Sequence, residues 1–163
     1  MDIITTLTWR QKVRSHDVEG IRELTAKTQV FSEEEIGVAG ELIECNLQKG
    51  DVSGYHFLFA EYDNHTIGYS CFGPIPFTHK RFDLYWIAVD PHFQHQGVGK
   101  NVLSRTEQYI RDVGGLHIYT ETSSRVEYVK TRDFYHRNGY RQMAEFSNFY
   151  RDGDDKLVYC KYL

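Results

Sequence analysis

The chain has 163 residues, with 19 Lys and Arg against 23 Asp and Glu for a formal net charge of −4. That length suits one domain, spanning residues 1–163, with a core that needs no disulfide or metal staple. The acidic balance argues against nucleic acid as a partner, because such binding rests on Lys and Arg neutralising phosphates.

Cys45, Cys71 and Cys160 are odd in number and far apart, so neither a disulfide framework nor a zinc-type spacing is present. A reducing, cytoplasmic setting is the simplest expectation. No apolar run approaches the ~18 residues of a membrane span, and the start lacks a signal-peptide core, so no membrane partner is expected. Aromatic residues make up 15% of the chain, which suggests a packed sheet with an aromatic-lined groove. The negative charge fits a cationic substrate.

In chain order, residues 7–13 alternate loosely as a first strand, and Asp17 is placed to cap a helix through residue 29, with Val18, Ile21 and Leu24 on one face. Ser32 and Glu35 form a capping box for a second helix with Ile36, Ala39, Ile43 and Leu47 inward. Residues 55–62 and 66–72 predict a hairpin around Asp63, Asn64 and His65, broken off at Gly73-Pro74. Residues 82–89 are nearly all apolar, as a strand buried on both faces would be.

A helix follows to about Val113, with Val98, Val102, Thr106, Ile110 and Val113 inward and Gly114-Gly115 as its stop. Residues 116–122 predict another strand, and Ser124 is placed to cap a helix to residue 137 that ends at Gly139. Residues 140–150 and 156–162 close the chain as a hairpin around Asp152, Gly153 and Asp154. The order β-α-α-β-β-β-α-β-α-β-β is that of an α+β fold, an α/β sandwich on a mixed sheet.

The most informative segment runs from the buried strand through Asp90-Pro91 to Gln94, His95, Gln96, Gly97, Val98, Gly99 and Lys100, then into an amphipathic helix. A helix N-terminus carries about half a positive charge and unpaired N–H groups, and glycines let a phosphate approach the backbone closely. A Walker loop is excluded by Gln94 and Asn101, and a dinucleotide fingerprint by Val102. The pattern is instead Gln-x-x-Gly-x-Gly. A second motif, Phe134-Tyr135-His136-Arg137-Asn138-Gly139-Tyr140, follows in the expected order.

Together these motifs resemble the GNAT superfamily of acyl-CoA-dependent N-acetyltransferases. The resemblance implies a mostly antiparallel sheet of about seven strands, flanked by about four helices, with the fourth and fifth strands splayed. It implies that residues 94–100 bind the pyrophosphate of acetyl-CoA, and that Ile87, Ala88 and Val89 pair with the pantetheine arm as an added strand would.

The resemblance also suggests chemistry. Tyr135 matches the family tyrosine that protonates the leaving thiolate. Asp83 falls where some relatives carry a glutamate base, with Tyr85 on the same strand face, and Glu121 is a second candidate for base or for binding the substrate cation. Thr120, Thr122 or Ser123 could assist. Tyr128 and Thr131 depart from an Asn and an Ala found in many relatives. The eight histidines show no zinc-binding helix spacing, so no metal is expected.

The expected activity is transfer of acetyl from acetyl-CoA to a small-molecule primary amine. A protein lysine or N-terminal acceptor and a non-catalytic acyl-CoA sensor are the alternatives. A homodimer is left open.

Overall fold

The structure, a computed structural model, describes residues 3–163. Strand β1 (Thr8–Arg10) is followed by helices α1 (Asp17–Lys27) and α2 (Glu33–Lys49), then by β2 (His56–Tyr62), β3 (His65–Pro74) and β4 (Arg81–Val89). Helix α3 (Val98–Asp112), β5 (His117–Ser123), α4 (Val129–Arg137), β6 (Arg141–Arg151) and β7 (Asp154–Tyr162) complete the order expected from the sequence. The strands form one seven-stranded sheet in the order β1-β2-β3-β4-β5-β7-β6. Every neighbouring pair is antiparallel except β4 and β5, which run parallel.

Helices cover both faces. Ile21 and Leu24 of α1 and Ala39 and Ile43 of α2 pack on Phe57, Phe59, Tyr69 and Ala88. On the opposite face Leu103 and Ile110 of α3 and Tyr135 of α4 pack on Phe82, Leu84, Ile118 and Tyr159. Each such fully buried aliphatic side chain contributes about 1.5–3 kcal/mol relative to exposure. The capping box forms as expected, with the Ser32 hydroxyl accepting from the Glu35 N–H and the Glu35 carboxylate accepting from the Ser32 N–H.

Several local expectations are corrected. Asp17 does not cap α1, because its carboxylate is taken by a buried fork from Arg10, at 2.8 Å to each oxygen, and by the Arg14 N–H. Ser124 does not cap α4, because its hydroxyl accepts from the Asp155 N–H and the chain first makes a short 3-10 turn. Val113 ends α3 exposed. The strand β3 runs through Gly73 and Pro74, which still pair with Asp83 and Phe82.

The correction with most bearing on function is in β4, which is not buried on both faces. Cys71 pairs with Trp86 and Phe72 with Leu84, so Tyr85 is an extra residue in a bulge and stands 38% exposed. Phe82 and Leu84 face α3, whereas Asp83 turns to the open side of the sheet.

Gly73 lies where backbones meet. A Cβ there would overlap the Gly54 carbonyl and reach the Tyr85 ring at 3.3 Å, and Tyr85 in turn packs edge-on against Tyr55 with ring centroids 5.4 Å apart.

Candidate active site

The loop after β4 is assembled from short-range contacts. The Asp90 N–H donates to the Ile67 carbonyl, and the Asp90 carboxylate accepts from the His92 N–H and from Lys27 of α1 at 3.3 Å. These partners hold its carboxyl below the usual carboxylate range despite burial. His95 and Gly97 adopt left-handed backbones, φ +61° and +83°, and α3 starts at Val98. For Gly97 that conformation costs nothing, whereas a side chain there would strain it.

The polar side chains of the loop brace it internally. Gln94 donates to the Val89 carbonyl, Gln96 to the His92 carbonyl and Asn101 to the Gly97 carbonyl. The N–H groups of Val98, Gly99 and Lys100 have no acceptor among the described residues. They open a helix of 15 residues and, with the Lys100 ammonium on the same turn, fit a pyrophosphate.

Beside this loop the sheet opens. The β4–β5 pairing is confined to Arg81, Asp83 and the residue between them, opposite His117, Ile118 and Tyr119. Ile87, Ala88 and Val89 pair with β3 on one side, opposite Ser70, Tyr69 and Gly68, and have no strand on the other. That free edge can take an extended amide-bearing arm as an added strand.

Tyr135 is buried at the inner end of the opening, 4% exposed, against Tyr140 and Tyr159. The Thr120 hydroxyl lies 3.2 Å from its oxygen and 3.2 Å from the Leu84 carbonyl. Burial pushes the Tyr135 phenol up to about 12, and the Thr120 contact opposes that rise. The phenol is therefore protonated at neutral pH and able to donate.

On the open side, Asp83 and Glu121 line a cleft of about 470 Å³ with Ile75, His79, Arg81 and Tyr119. Burial and then the negative charge of Glu121 raise the Asp83 carboxyl to about 6, with Lys156 opposing. Glu121 is half exposed and accepts an ion pair from Lys156 at 2.8 Å. Burial and the Asp83 charge push Tyr85 up to about 12.

Sequence reasoning did not single out Lys156, although β7 pairing sets it beside Ser123 at the mouth of the opening. It also missed Phe31, whose ring packs 5.0 Å from Trp86 and joins the α1–α2 connection to β4. Among the described residues no group of three or more His, Cys, Asp or Glu could hold a metal. Among the same residues no helix is long and apolar enough to cross a membrane.

A parallel strand pair held at one end and open at the other thus lies beside a glycine turn that feeds a helix N-terminus. The sequence profile of the acetyltransferase (GNAT) family matches residues 18–140, and the chain belongs to that family.

A protein from Desulfovibrio desulfuricans described as a GNAT-family acetyltransferase is 41% identical, with a TM-score of 0.94 over 96% of this chain and 98% of its own. The PaiA N-acetyltransferase of Thermoplasma acidophilum, solved with coenzyme A, shares the fold at 19% identity and a TM-score of 0.73 over 96% of this chain and 99% of its own. An uncharacterized N-acetyltransferase of Methanocaldococcus jannaschii is 29% identical over 105 residues; the match spans 64% of this chain and 65% of that protein.

Proposed function

We propose that the protein transfers an acetyl group from acetyl-CoA to the primary amine of a small molecule, directly within a ternary complex. The observation that carries this reading is the placement of two tuned groups about one strand. Asp83, at about 6, opens on the cleft, while the Tyr135 hydroxyl reaches Thr120 and, through it, Leu84 at the sheet opening.

In this reading the N–H groups of residues 98–100 hold the pyrophosphate, and the edge of Ile87, Ala88 and Val89 orients the pantetheine arm. Asp83 accepts a proton from the acceptor ammonium, so the neutral amine attacks the thioester carbonyl. A strand N–H beside that carbonyl stabilises the charge that develops on its oxygen. As the C–N bond forms and the C–S bond breaks, Tyr135 gives its proton to the departing thiolate. The Thr120 hydroxyl then donates to the phenolate, which recovers its proton from the acylated nitrogen.

Glu121 and its Lys156 partner raise and lower the Asp83 carboxyl from across the cleft. A volume of about 470 Å³ falls in the range of small-molecule sites, and its carboxylates suit a cationic amine. Solved relatives below 25% identity include an aminoglycoside 6′-N-acetyltransferase with coenzyme A and an Escherichia coli enzyme named for the alanine of ribosomal protein S18. Thiol release from acetyl-CoA across a panel of small amines and peptides tests the reading. Turnover with small amines is expected. Turnover confined to peptides would move the acceptor to protein, and tight coenzyme binding without turnover would leave a sensor.

A further inference from the structure

We infer that the acceptor is an α-amino acid with an apolar side chain, and that Arg81 binds its carboxylate. The inference rests on the small-amine reading given above and names the class of amine.

The cleft is lined by charges of both signs. Asp83 and Glu121 face it, and so does Arg81, at the start of β4. Side chains alternate along a strand, and the bulge at Tyr85 lies beyond this stretch. Arg81 and Asp83 therefore share the face turned away from α3, with Cβ atoms roughly 6–7 Å apart. The charge of Arg81 acts on His117, Tyr119 and Cys160, which sets its guanidinium over that same face of β5 and β7.

The two cations near the carboxylates differ in what they are free to hold. Lys156 is committed to Glu121 at 2.8 Å. The Arg81 guanidinium donates to the His79 carbonyl, and no carboxylate of the described residues lies within ion-pair distance of it. Arginine has five donors in a planar fork, and a carboxylate accepts two of them in parallel. The cleft thus offers a carboxylate for an ammonium and, one strand repeat away, an unpaired fork for a carboxylate. An α-amino acid carries both groups on one carbon. With its ammonium at Asp83, its carboxylate turns toward Arg81, whose long side chain spans the remaining distance. Its own side chain then meets Ile75, Tyr119 and Val158. A polyamine would set a second cation against Arg81, and a peptide N-terminus has no free carboxylate at that carbon.

In the transfer, Asp83 takes one proton from the ammonium. The nitrogen bonds to the acetyl carbon as the C–S bond breaks, the thiolate takes the Tyr135 proton, and the second proton leaving the nitrogen restores the phenol. The product is an N-acetyl amino acid. It keeps the carboxylate and has lost the charge that Asp83 held.

Thiol release with matched acceptors tests this: phenylalanine against phenethylamine, and leucine against 3-methylbutylamine, with phenylalanine amide as the uncharged form. In the parent, each amino acid should exceed its amine in kcat/KM by about tenfold or more, the scale of a hydrogen bond to a charged group. Arg81→Gln keeps a donor for the His79 carbonyl. It should lower kcat/KM for the amino acids by about ten- to hundredfold, through KM rather than kcat, while the amines, freed of an opposing cation, gain. Arg81→Lys keeps the charge without the fork and should fall between. A parent protein with no preference for the amino acids, or one that prefers phenylalanine amide, would overturn the inference even where a variant fails to fold. So would an equal loss for amino acid and amine in Arg81→Gln, which would make Arg81 a brace of residues 75–80. Turnover of peptides and of no small amine would overturn the small-amine reading itself, a result distinct from these.

Discussion

The hydroxyl groups of Thr120 and Tyr135 lie 3.2 Å apart, next to the Leu84 carbonyl, just where β4 and β5 stop pairing. A donor aimed at the phenol oxygen matters little while the phenol keeps its proton and much once it gives that proton away. Tyr135→Phe should therefore fold, bind acetyl-CoA nearly as well as the parent, and lose about tenfold or more in kcat. Affinity by calorimetry and turnover by thiol release, on one preparation, decide this. Weakened binding with unchanged turnover at saturation would make Tyr135 a coenzyme contact instead.

Asp83 offers a test by pH. With its carboxyl at about 6, the proton-accepting form fills as pH rises through that value, and kcat/KM should rise with it. Asp83→Asn should lower kcat/KM by about 10²–10⁴ and abolish that limb. A loss below about fivefold would shift the role to Glu121.

The same shift bears on stability. Between the ordinary carboxylate value and about 6, the folded protein binds more protons at Asp83 than the unfolded chain does, so stability falls as pH rises through that window. After solvent screening the effect is on the order of 1 kcal/mol. At pH 7 to 8, Asp83→Asn should melt slightly higher than the parent while being far less active. A lower melting temperature would contradict the burial cause.

The proposed pyrophosphate role of residues 94–100 predicts a different signature. Gly97→Val forces a branched side chain into φ +83°, and Gly99→Glu sets a carboxylate on the first turn of α3, where an anion should bind. Both should weaken coenzyme A and ADP alike by calorimetry, more than they lower the melting temperature. Unchanged affinity in both folded variants would remove the pyrophosphate role.

A structural control lies on the far side of α3. Glu107 is 4% exposed and accepts from Lys161 at 2.8 Å and from the Tyr140 hydroxyl at 3.2 Å. Lys161→Met strands that carboxylate and should cost about 3 kcal/mol in denaturant titration. Adding Glu107→Leu should recover part of the loss. A single variant as stable as the parent would mean the carboxylate is already solvated.

Element order and the glycine turn were legible because each depends on local pattern. The period of α3, the box at Ser32 and Glu35, and Gly139 at the end of α4, with φ +87°, act over a few residues. What escaped was set by partners distant in sequence. Asp17 has the composition of a cap, but Arg10 and its buried fork claim it. Ser124 is claimed by Asp155 of β7. The bulge at Tyr85 needs the register against β3 to be seen, and no count along β4 reveals it. Thr120 and Thr122 read as ordinary strand residues until the departure of β4 leaves one bridging and the other unpartnered.

Gly73 reacts with nothing and sits on no loop that holds a ligand, yet it is wedged between the Gly54 carbonyl and the Tyr85 ring. Any residue with a Cβ must push that loop away, and Tyr55 and Tyr85 move with it. In a screen that scored every substitution by growth or turnover, Gly73 would therefore rank beside the proposed acid Tyr135 and the proposed base Asp83. A reader mapping intolerance onto chemistry would be misled there. The scar would belong to the mould in which the cleft is cast.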